Sequence, residues 1–311
     1  MSVEVRQATL DDTRAISALF CERIPNWQRI NAQGQVEDVP YEALTIYERW
    51  LHGGPWMSVE TAAILINHLL LGAGVPLVAY DGKGVRGYLE AYHSLEAEPF
   101  GRSLHIAHLL ATDEAVERAL LEELTARGKT LKCQHVTLTR VGGESVYDQR
   151  YTLEPLSRLR RFNLPARQGQ IFYRAVEHLD AAATQIVGWG MPVGRLSCAR
   201  QQWETLWPLH WESLPEIHAR RTARRHFSAA GQDALMFCRE NLYDPRSADI
   251  FLWTPRPLTL QLVSAVRDWA HREGFRTLVM AVEEDAKGAL GPDAEDDGYS
   301  QETCALTLSP A

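Results

Sequence analysis

Cysteine is scarce in this sequence, and no two cysteines stand close together. The five cysteines, Cys21, Cys133, Cys198, Cys238 and Cys304, are scattered singly, without a C-x-x-C spacing. This arrangement excludes a disulfide framework and is typical of proteins in a reducing compartment. Because paired cysteines or a Cys/His cluster are missing, we expect no zinc or other metal site.

The sequence also lacks a hydrophobic run long enough to cross a membrane. Its longest apolar stretch, Ala62–Leu71, has about half of the roughly 20 residues that span a bilayer, and Asn67 and His68 interrupt it. No signal peptide precedes Val3. These features predict a cytoplasmic protein that does not act on a membrane.

The chain has fewer basic than acidic residues. The chain carries a net charge of −8, whereas phosphate binding requires a basic face, so a general nucleic-acid binder is not expected. With 311 residues, of which 45% are apolar and 23% charged, the chain is long enough for two globular domains with sizeable cores.

The sequence contains one pattern twice: an apolar strand, a break, an amphipathic helix and a second strand. The copies run over Leu104–Arg140 and Ala248–Glu283. A shift of 142 residues aligns the apolar helix positions Val116, Leu120, Leu121 and Leu124 with Leu258, Leu262, Val263 and Val266. The i, i+4, i+5, i+8 spacing makes one apolar stripe on each helix. Two β-α-β units therefore predict two related half-molecules.

Around these units, the other elements follow the same order in both halves. In the first half we predict an edge strand, a helix capped at Thr9 or Asp11, a helix after Ser58, a hairpin turning at 81–84, a helix over 144–164 and a final strand over 169–178. In the second half we predict a strand over 195–200, a helical region to Phe227, a strand over 234–240 and a closing strand over 301–309. The glycine-rich segment Leu179–Gly194 predicts the boundary, giving domains 1–178 and 195–311 and a linker over 179–194.

The N-terminal strand ends in Arg6-Gln7-Ala8 and is followed by the acidic start of a helix. Together with the element order, this resembles the GCN5-related N-acetyltransferase family, whose first strand ends in R-x-A. The resemblance covers nearly the whole chain as a tandem, and it implies an α/β fold with two domains, each a mixed, mostly antiparallel twisted sheet flanked by helices. It further implies transfer of an acetyl group from acetyl-CoA to an amine of a small molecule or peptide. We expect a monomer or homodimer without a nucleic-acid or membrane partner.

In that family the pyrophosphate of acetyl-CoA binds at the break after the fourth strand, in a Q/R-x-x-G-x-G/A segment whose backbone N–H groups surround the anion. The resemblance assigns this role to Leu110 and Thr112 in the first copy. In the second copy it assigns the role to Thr254, Arg256 and Thr259. Neither copy keeps the glycines.

The residues that replace those glycines have structural explanations. In the first copy Asp113 and Glu114 are suited to cap a helix, and their charges repel a phosphate. In the second copy Pro255 and Pro257 remove two N–H donors, and Pro257 fits the first helical turn.

The catalytic residues are predicted from chemistry as much as from resemblance. The family's acid is a tyrosine, but its aligned positions hold Ser157 and Ala294. Tyr147 and Tyr151 lie nearby, and Tyr147 is the preferred substitute. A general base needs a pKa near neutrality, and Glu90 and His105 on the third and fourth strands are the preferred candidates. His93 and His108 are further candidates on the same two strands.

Two functions stay open at this point. One is an acyl-CoA-dependent N-acetyltransferase that works mainly by positioning and backbone polarisation. The other is a catalytically inactive protein that uses the same scaffold to bind a ligand or partner. The aromatic insertion over 26–56 is either a substrate lid or a packed surface helix. The basic run over 218–226, with arginines at i, i+4, is either an anion site or a solvated face paired with the acidic C-terminal loop.

Overall fold

The structure, a computed structural model, describes residues 3–141, 152–218 and 220–308. Its strands are β1 (Glu4–Gln7), β2 (Gln28–Ile30), β3 (Val36–Asp38), β4 (Val75–Tyr80), β5 (Val85–Leu95), β6 (Arg102–Ala111), β7 (His135–Val141), β8 (Glu154–Pro165), β9 (Tyr173–Glu177), β10 (Gly190–Val193), β11 (Thr222–Ala229), β12 (Gln232–Glu240), β13 (Ser247–Thr254), β14 (Thr277–Glu283) and β15 (Glu295–Thr307). Its helices are α1 (Thr13–Cys21), α2 (Ile46–Leu51), α3 (Val59–His68), α4 (Glu114–Thr130), α5 (Ala199–Leu206), α6 (Pro215–His218) and α7 (Leu260–Arg272). None of the helices in these ranges is long and apolar enough to span a membrane.

By their internal contacts the residues group into two units. Unit 1 comprises Met1–Tyr92, Ile106–Arg127 and His210–Ile217, and unit 2 comprises His93–His105, Gly128–Leu209 and His218–Ala311. Strands β5 and β6 contribute residues to both. The division of the chain into domains 1–178 and 195–311 stays a prediction.

Unit 1 contains the strand order β1-β4-β5-β6, in which β1, β4 and β5 pair antiparallel. Ile16 of α1 and Val116, Leu120 and Leu124 of α4 are buried in it. The predicted hairpin β4–β5 and the predicted cap Ser58 are confirmed, since the Ser58 side chain accepts a hydrogen bond from the Thr61 N–H.

Unit 2 contains nine strands in the order β7-β15-β8-β14-β10-β13-β12-β11-β9, mostly antiparallel. Successive side chains of β13 point to opposite faces: Ile250 and Leu252 join the core that includes α7, whereas Phe251 and Trp253 join the core that includes α5. Helices therefore cover this sheet on both faces, as the predicted α/β class requires.

Both β-α-β units form as predicted, as β6-α4-β7 and β13-α7-β14, and β13 runs parallel to β14. The second helix begins later than expected. Thr259 is its N-cap and Pro257 lies before it, so the placement of Pro257 in the first helical turn was wrong.

Two predictions for the joining segments were wrong and one was confirmed. Instead of a helix, the described part of 144–164 contains β8, which pairs with β14 and β15 along its length. The strand predicted over 169–178 is confirmed as β9, which pairs with β11. The strand predicted over 195–200 is a turn followed by α5, and the strand lies earlier, as β10.

The C-terminal strand has an unexpected position. Instead of closing a sheet of its own half, β15 lies between β7 and β8, with Cys304 opposite both Leu138 and Pro155. Strands from the two ends of the sequence are thus interleaved within unit 2.

Candidate functional site

The first predicted cofactor segment follows β6, where Asp113 occupies the start of α4. Its Oδ1 accepts hydrogen bonds of 3.0 Å from the N–H groups of Ala115 and Val116. The Val116 N–H is the main cause that lowers the pKa of Asp113. The predicted helix cap at Asp113 is confirmed, and it places a carboxylate on the N–H donors that an anion would use.

The two residues predicted to bind the cofactor here lie beside this cap. Leu110 is a buried side chain at the end of β6. Thr112 is exposed, its N–H donates to the Arg86 carbonyl (3.1 Å) and its hydroxyl donates to Asp113 Oδ2 (3.2 Å). The polar groups of Thr112 are thus hydrogen-bonded within the protein, to β5 and to the helix cap.

The second cofactor segment, between β13 and α7, is also hydrogen-bonded within itself. The Thr254 hydroxyl donates to the Arg256 carbonyl (2.5 Å), and the Thr259 hydroxyl donates to Gln232 Oε1 (2.6 Å) while accepting from the Leu262 N–H (3.2 Å). The Arg256 side chain is exposed. Of the three residues predicted for this site, Arg256 is the exposed one, whereas Thr254 is buried and Thr259 is partly buried.

Strand β10 lies beside the same segment. Strands β13 and β14 pair in parallel over only three positions, beginning at Ser247↔Thr277. Beyond these positions β10 lies between the two strands, pairing antiparallel with β13 at Gly190↔Thr254 and with β14 at Val193↔Val282. The end of β13 that leads into the predicted cofactor loop is therefore covered by the chain's own backbone.

Glu90, a predicted base, is a buried carboxylate on β5 with 2% of its surface exposed. It accepts hydrogen bonds from Trp56 Nε1 (3.0 Å), the Tyr88 hydroxyl (3.2 Å) and the Tyr92 hydroxyl (2.7 Å). Burial and the negative charge of Glu90 raise the pKa of Tyr88, so this hydroxyl stays protonated and donates. Three donors satisfy a buried charge and hold it in place.

His105, the other predicted base, is 1% exposed and hydrogen-bonded through Nδ1 to Thr137 Oγ1 at 3.1 Å. Burial, with a smaller contribution from the positive charge of Arg195, lowers the pKa of His105 to about 3. The imidazole is therefore neutral at pH 7 and closed to solvent.

This burial makes stability depend on pH. Because the folded-state pKa lies below the unfolded value of about 6.5, the stability that neutral His105 contributes is present above pH 6.5 and is lost as pH falls toward 3. Between pH 7 and pH 5, we expect wild type to lose about 2 kcal/mol more unfolding free energy than His105→Asn. Urea unfolding at both pH values measures the difference. Equal losses in the two proteins would contradict this assignment.

The remaining candidates divide by position. Tyr147 lies outside the described residues. His108 is half-buried in unit 1, where its ring meets Phe20 edge-on at 5.1 Å. His93 lies in unit 2 near the end of β5. Glu90 and His105 are assigned to different units.

The aromatic insertion over 26–56 is packed. Trp56 is fully buried and stacks on Phe20 at 5.3 Å, and Trp50 contacts Trp211 at 4.7 Å. A hairpin of β2 and β3 projects the exposed pair Ile30 and Val36 from this region. Surface packing thus accounts for the large aromatics, and the lid remains an expectation.

The basic run over 218–226 is not a helical ridge, because Thr222–Ala229 is strand β11. Arg224 is buried and donates to the carbonyls of Leu206 and Trp207 at the end of α5. Arg225 pairs with Glu177, and Arg221 pairs with Glu240. The acidic C-terminal segment pairs instead with β8, for example Asp296 with Arg160.

Sequence reasoning missed a buried ion pair in unit 2. Arg195 donates from Nε and Nη2 to the two carboxylate oxygens of Glu96, each at 3.1 Å, and from Nη1 to Thr303 Oγ1. Glu96 also accepts from the Ser94 hydroxyl and the Ala199 N–H. No local sequence pattern predicts this network, because Glu96 and Arg195 lie far apart in the sequence.

No protein-family profile and no curated protein matches the sequence. Solved structures with a similar fold include a GCN5-related N-acetyltransferase from Kribbella flavida, at 12% identity and TM-score 0.59, covering 99% of this chain and 72% of that chain. One from Anabaena variabilis ATCC 29413 has 9% identity and TM-score 0.58, covering 99% and 73%. Eis1 from Mycobacterium abscessus has 12% identity and TM-score 0.54, covering 99% and 74%.

These similarities extend over 99% of this chain. The resemblance predicted from the order of elements is thereby confirmed at the level of the fold. The chain has the α/β fold of the GCN5-related N-acetyltransferases, with a mixed, mostly antiparallel sheet flanked by helices.

Proposed function

We propose that this protein uses an acetyltransferase-like scaffold to bind a ligand and does not transfer acyl groups. The observation that carries the proposal is the hydrogen bonding of the two predicted cofactor segments. Asp113 accepts from the first N–H groups of α4, and β10 pairs with the end of β13 beside the second segment. In the first copy a side chain of the protein occupies the N–H donors predicted for the cofactor. In the second copy a strand of the protein occupies the position beside the predicted cofactor loop.

Charge and hydrogen bonding favour this interpretation. A phosphate at the start of α4 would meet the like charge of the Asp113 carboxylate and would compete with that carboxylate for the N–H donors of Ala115 and Val116. In the second copy a ligand between the end of β13 and β14 would have to displace β10 from its pairing with both strands.

Calorimetric titration of the full chain with acetyl-CoA tests the proposal. We expect no binding heat at about 1 mM acetyl-CoA, a concentration that saturates any site of micromolar affinity. An acetyltransferase of the same fold with an intact glycine loop, titrated in the same buffer, serves as the positive control. Saturable heat from the wild-type chain would contradict the proposal.

A second candidate function is transfer of an acetyl group to an amine in unit 1, and His108 favours it. This imidazole lies on β6, before the first cofactor segment, and remains partly exposed beside Phe20, whereas Glu90 and His105 are buried. Thiol release from acetyl-CoA in the presence of a panel of amines is the measurement. Amine-dependent release that falls about 100-fold in His108→Gln would establish this function, since a general base contributes roughly 10²–10⁴-fold.

A further inference from the structure

Strand β9 is the last strand of the sheet in unit 2, and one of its two edges has no neighbouring strand among the described residues. Its other edge pairs with β11 over five positions, from Tyr173↔Ala229 to Glu177↔Arg225. An open edge presents unpaired N–H and C=O groups and can take up a further strand. Strand β9 contains no proline and pairs with β11 without a bulge, so it lacks two of the devices that block such pairing.

The hydrogen bonding to β11 shows which residues of β9 face the open edge. Directly after β9, the His178 N–H donates to the Arg224 carbonyl at 3.1 Å. Hydrogen-bonded and non-hydrogen-bonded positions alternate in an antiparallel pair, so every second residue before His178 also bonds to β11. The N–H and C=O groups of the remaining residues, Tyr173, Ala175 and Glu177, therefore point to the open edge.

These three residues are spaced symmetrically about Ala175. If two copies of β9 pair antiparallel about a two-fold axis at Ala175, this residue lies opposite its own copy. Tyr173 then lies opposite Glu177 of the second copy. Each opposed pair exchanges two N–H···O bonds, so the interface gains about six backbone hydrogen bonds. Every outward-facing backbone group of β9 is then satisfied.

The side chains of β9 agree with this register. Arg174 and Glu177 are exposed and carry opposite charges. In the pairing about Ala175, Arg174 lies opposite Val176 of the second copy, so like charges do not oppose each other. An axis at Arg174 would oppose two arginines. An axis at Val176 would leave Tyr173 outside the paired strands.

Two exposed apolar side chains flank β9. Phe172 precedes the strand and is 93% exposed, and Leu179 follows the strand and is 56% exposed. Pairing about Ala175 brings Phe172 of one copy within one residue position of Leu179 of the other copy, at both ends of the paired strands. Association would therefore remove apolar surface from water at each end.

We propose that a second copy of this chain adds to the open edge of β9, giving a two-fold dimer through antiparallel pairing of the two β9 strands about Ala175. The dimer is weak, because two strands of five residues bury less surface than a stable interface requires. We expect a dissociation constant of about 10–100 μM. The dimer does not depend on the proposed ligand-binding function.

Sedimentation velocity of the full chain, between about 1 and 500 μM, tests the proposal. We expect wild type to change from monomer to dimer across this range. Ala175→Pro removes an outward N–H that β11 does not use, and an edge strand tolerates proline at such a position. This variant should weaken dimerisation about tenfold or more, since it removes hydrogen bonds at the two-fold axis.

Val5→Pro is the matched control, on the other edge strand of the sheet, β1. The Ala8 N–H donates to the Pro76 carbonyl, so the alternation of hydrogen bonds places the Val5 N–H on the outward side of β1. We expect this variant to dimerise like wild type. A monomer at all concentrations, a dimer that Ala175→Pro leaves intact or a dimer that Val5→Pro dissociates would each overturn the proposal.

Amide hydrogen exchange of wild type tests the register without a variant, and it decides the matter if Ala175→Pro fails to fold. The N–H groups of Tyr173, Ala175 and Glu177 should exchange about threefold or more slowly at 500 μM than at about 5 μM, because dimerisation protects them by mass action. Those of Arg174 and Val176, bonded to β11, should exchange slowly at both concentrations. Equal rates for the three outward N–H groups at the two concentrations would contradict pairing through β9.

Discussion

Replacing Arg195 with methionine is expected to lower the unfolding free energy by about 3–5 kcal/mol, because the change leaves Glu96 buried without its cation. The side chains of Arg195 and Glu96 are only 2% and 1% exposed. Methionine keeps much of the volume over the Phe100 ring, which the guanidinium covers at 3.3 Å, so the lost charge dominates. Urea unfolding followed by tryptophan fluorescence measures the effect.

Arg158→Met is the matched control. Arg158 also pairs with a glutamate, Glu302, but its side chain is 58% exposed, and exposed pairs contribute only about 0–1 kcal/mol. The double variant Arg195→Met with Glu96→Gln should recover part of the loss, because no uncompensated charge remains. Equal losses of unfolding free energy in Arg195→Met and Arg158→Met would mean that burial of the Glu96–Arg195 pair does not increase its contribution to stability.

Replacing Gly194 with alanine is expected to cost about 3 kcal/mol. Gly194 follows β10 at a φ of +81°, and a Cβ there would lie 2.9 Å from the Ile250 carbonyl oxygen and against the Phe251 ring. The left-handed backbone costs an alanine about 1–2 kcal/mol, and overpacking adds about 1–3 kcal/mol. Thermal and urea unfolding report the total.

Gly188→Ala separates the two contributions. Gly188 has a similar φ of +77°, but apart from its chain neighbours no atom of the described residues lies within 4 Å of a Cβ built on it. We expect its replacement to cost only about 1–2 kcal/mol, from the backbone alone. Equal losses at the two glycines would mean that the close approach of β10 to β13 does not restrict position 194.

Elements set by local chemistry could be predicted from the sequence. The apolar stripe of α4 and α7, the cap by Ser58 and the carboxylate of Asp113 at a helix start all depend on residues a few positions apart. The family resemblance then predicted the fold, because the order of these elements matches the family although few signature residues do.

Elements set by distant pairing could not be predicted. Strand β8 is stabilised by pairing with β14 and β15, which lie more than 100 residues later in the sequence. Its own apolar residues do not alternate clearly, so they do not predict a strand. The glycine content of Leu179–Gly194 predicts a linker. The same segment contains β10, whose pairing with β13 and β14 arises only in the folded chain.

The same limit applies to the candidate site. Glu90 and His105 were chosen for their chemistry and their strands, but burial and hydrogen bonding depend on Trp56 and Thr137, which no local pattern connects to them. The Glu96–Arg195 pair joins residues 99 positions apart, and sequence spacing gives no signal for it.

Hydrogen exchange over residues 189–194, with and without acetyl-CoA, tests the central claim that β10 is a fixed strand between β13 and β14. The Gly194 N–H, which donates to the Ala281 carbonyl at 2.7 Å, and the neighbouring N–H groups of β10 should exchange as slowly as core strands. Their rates should not change when acetyl-CoA is added. Fast exchange in the free protein, or release of β10 by acetyl-CoA, would contradict the account.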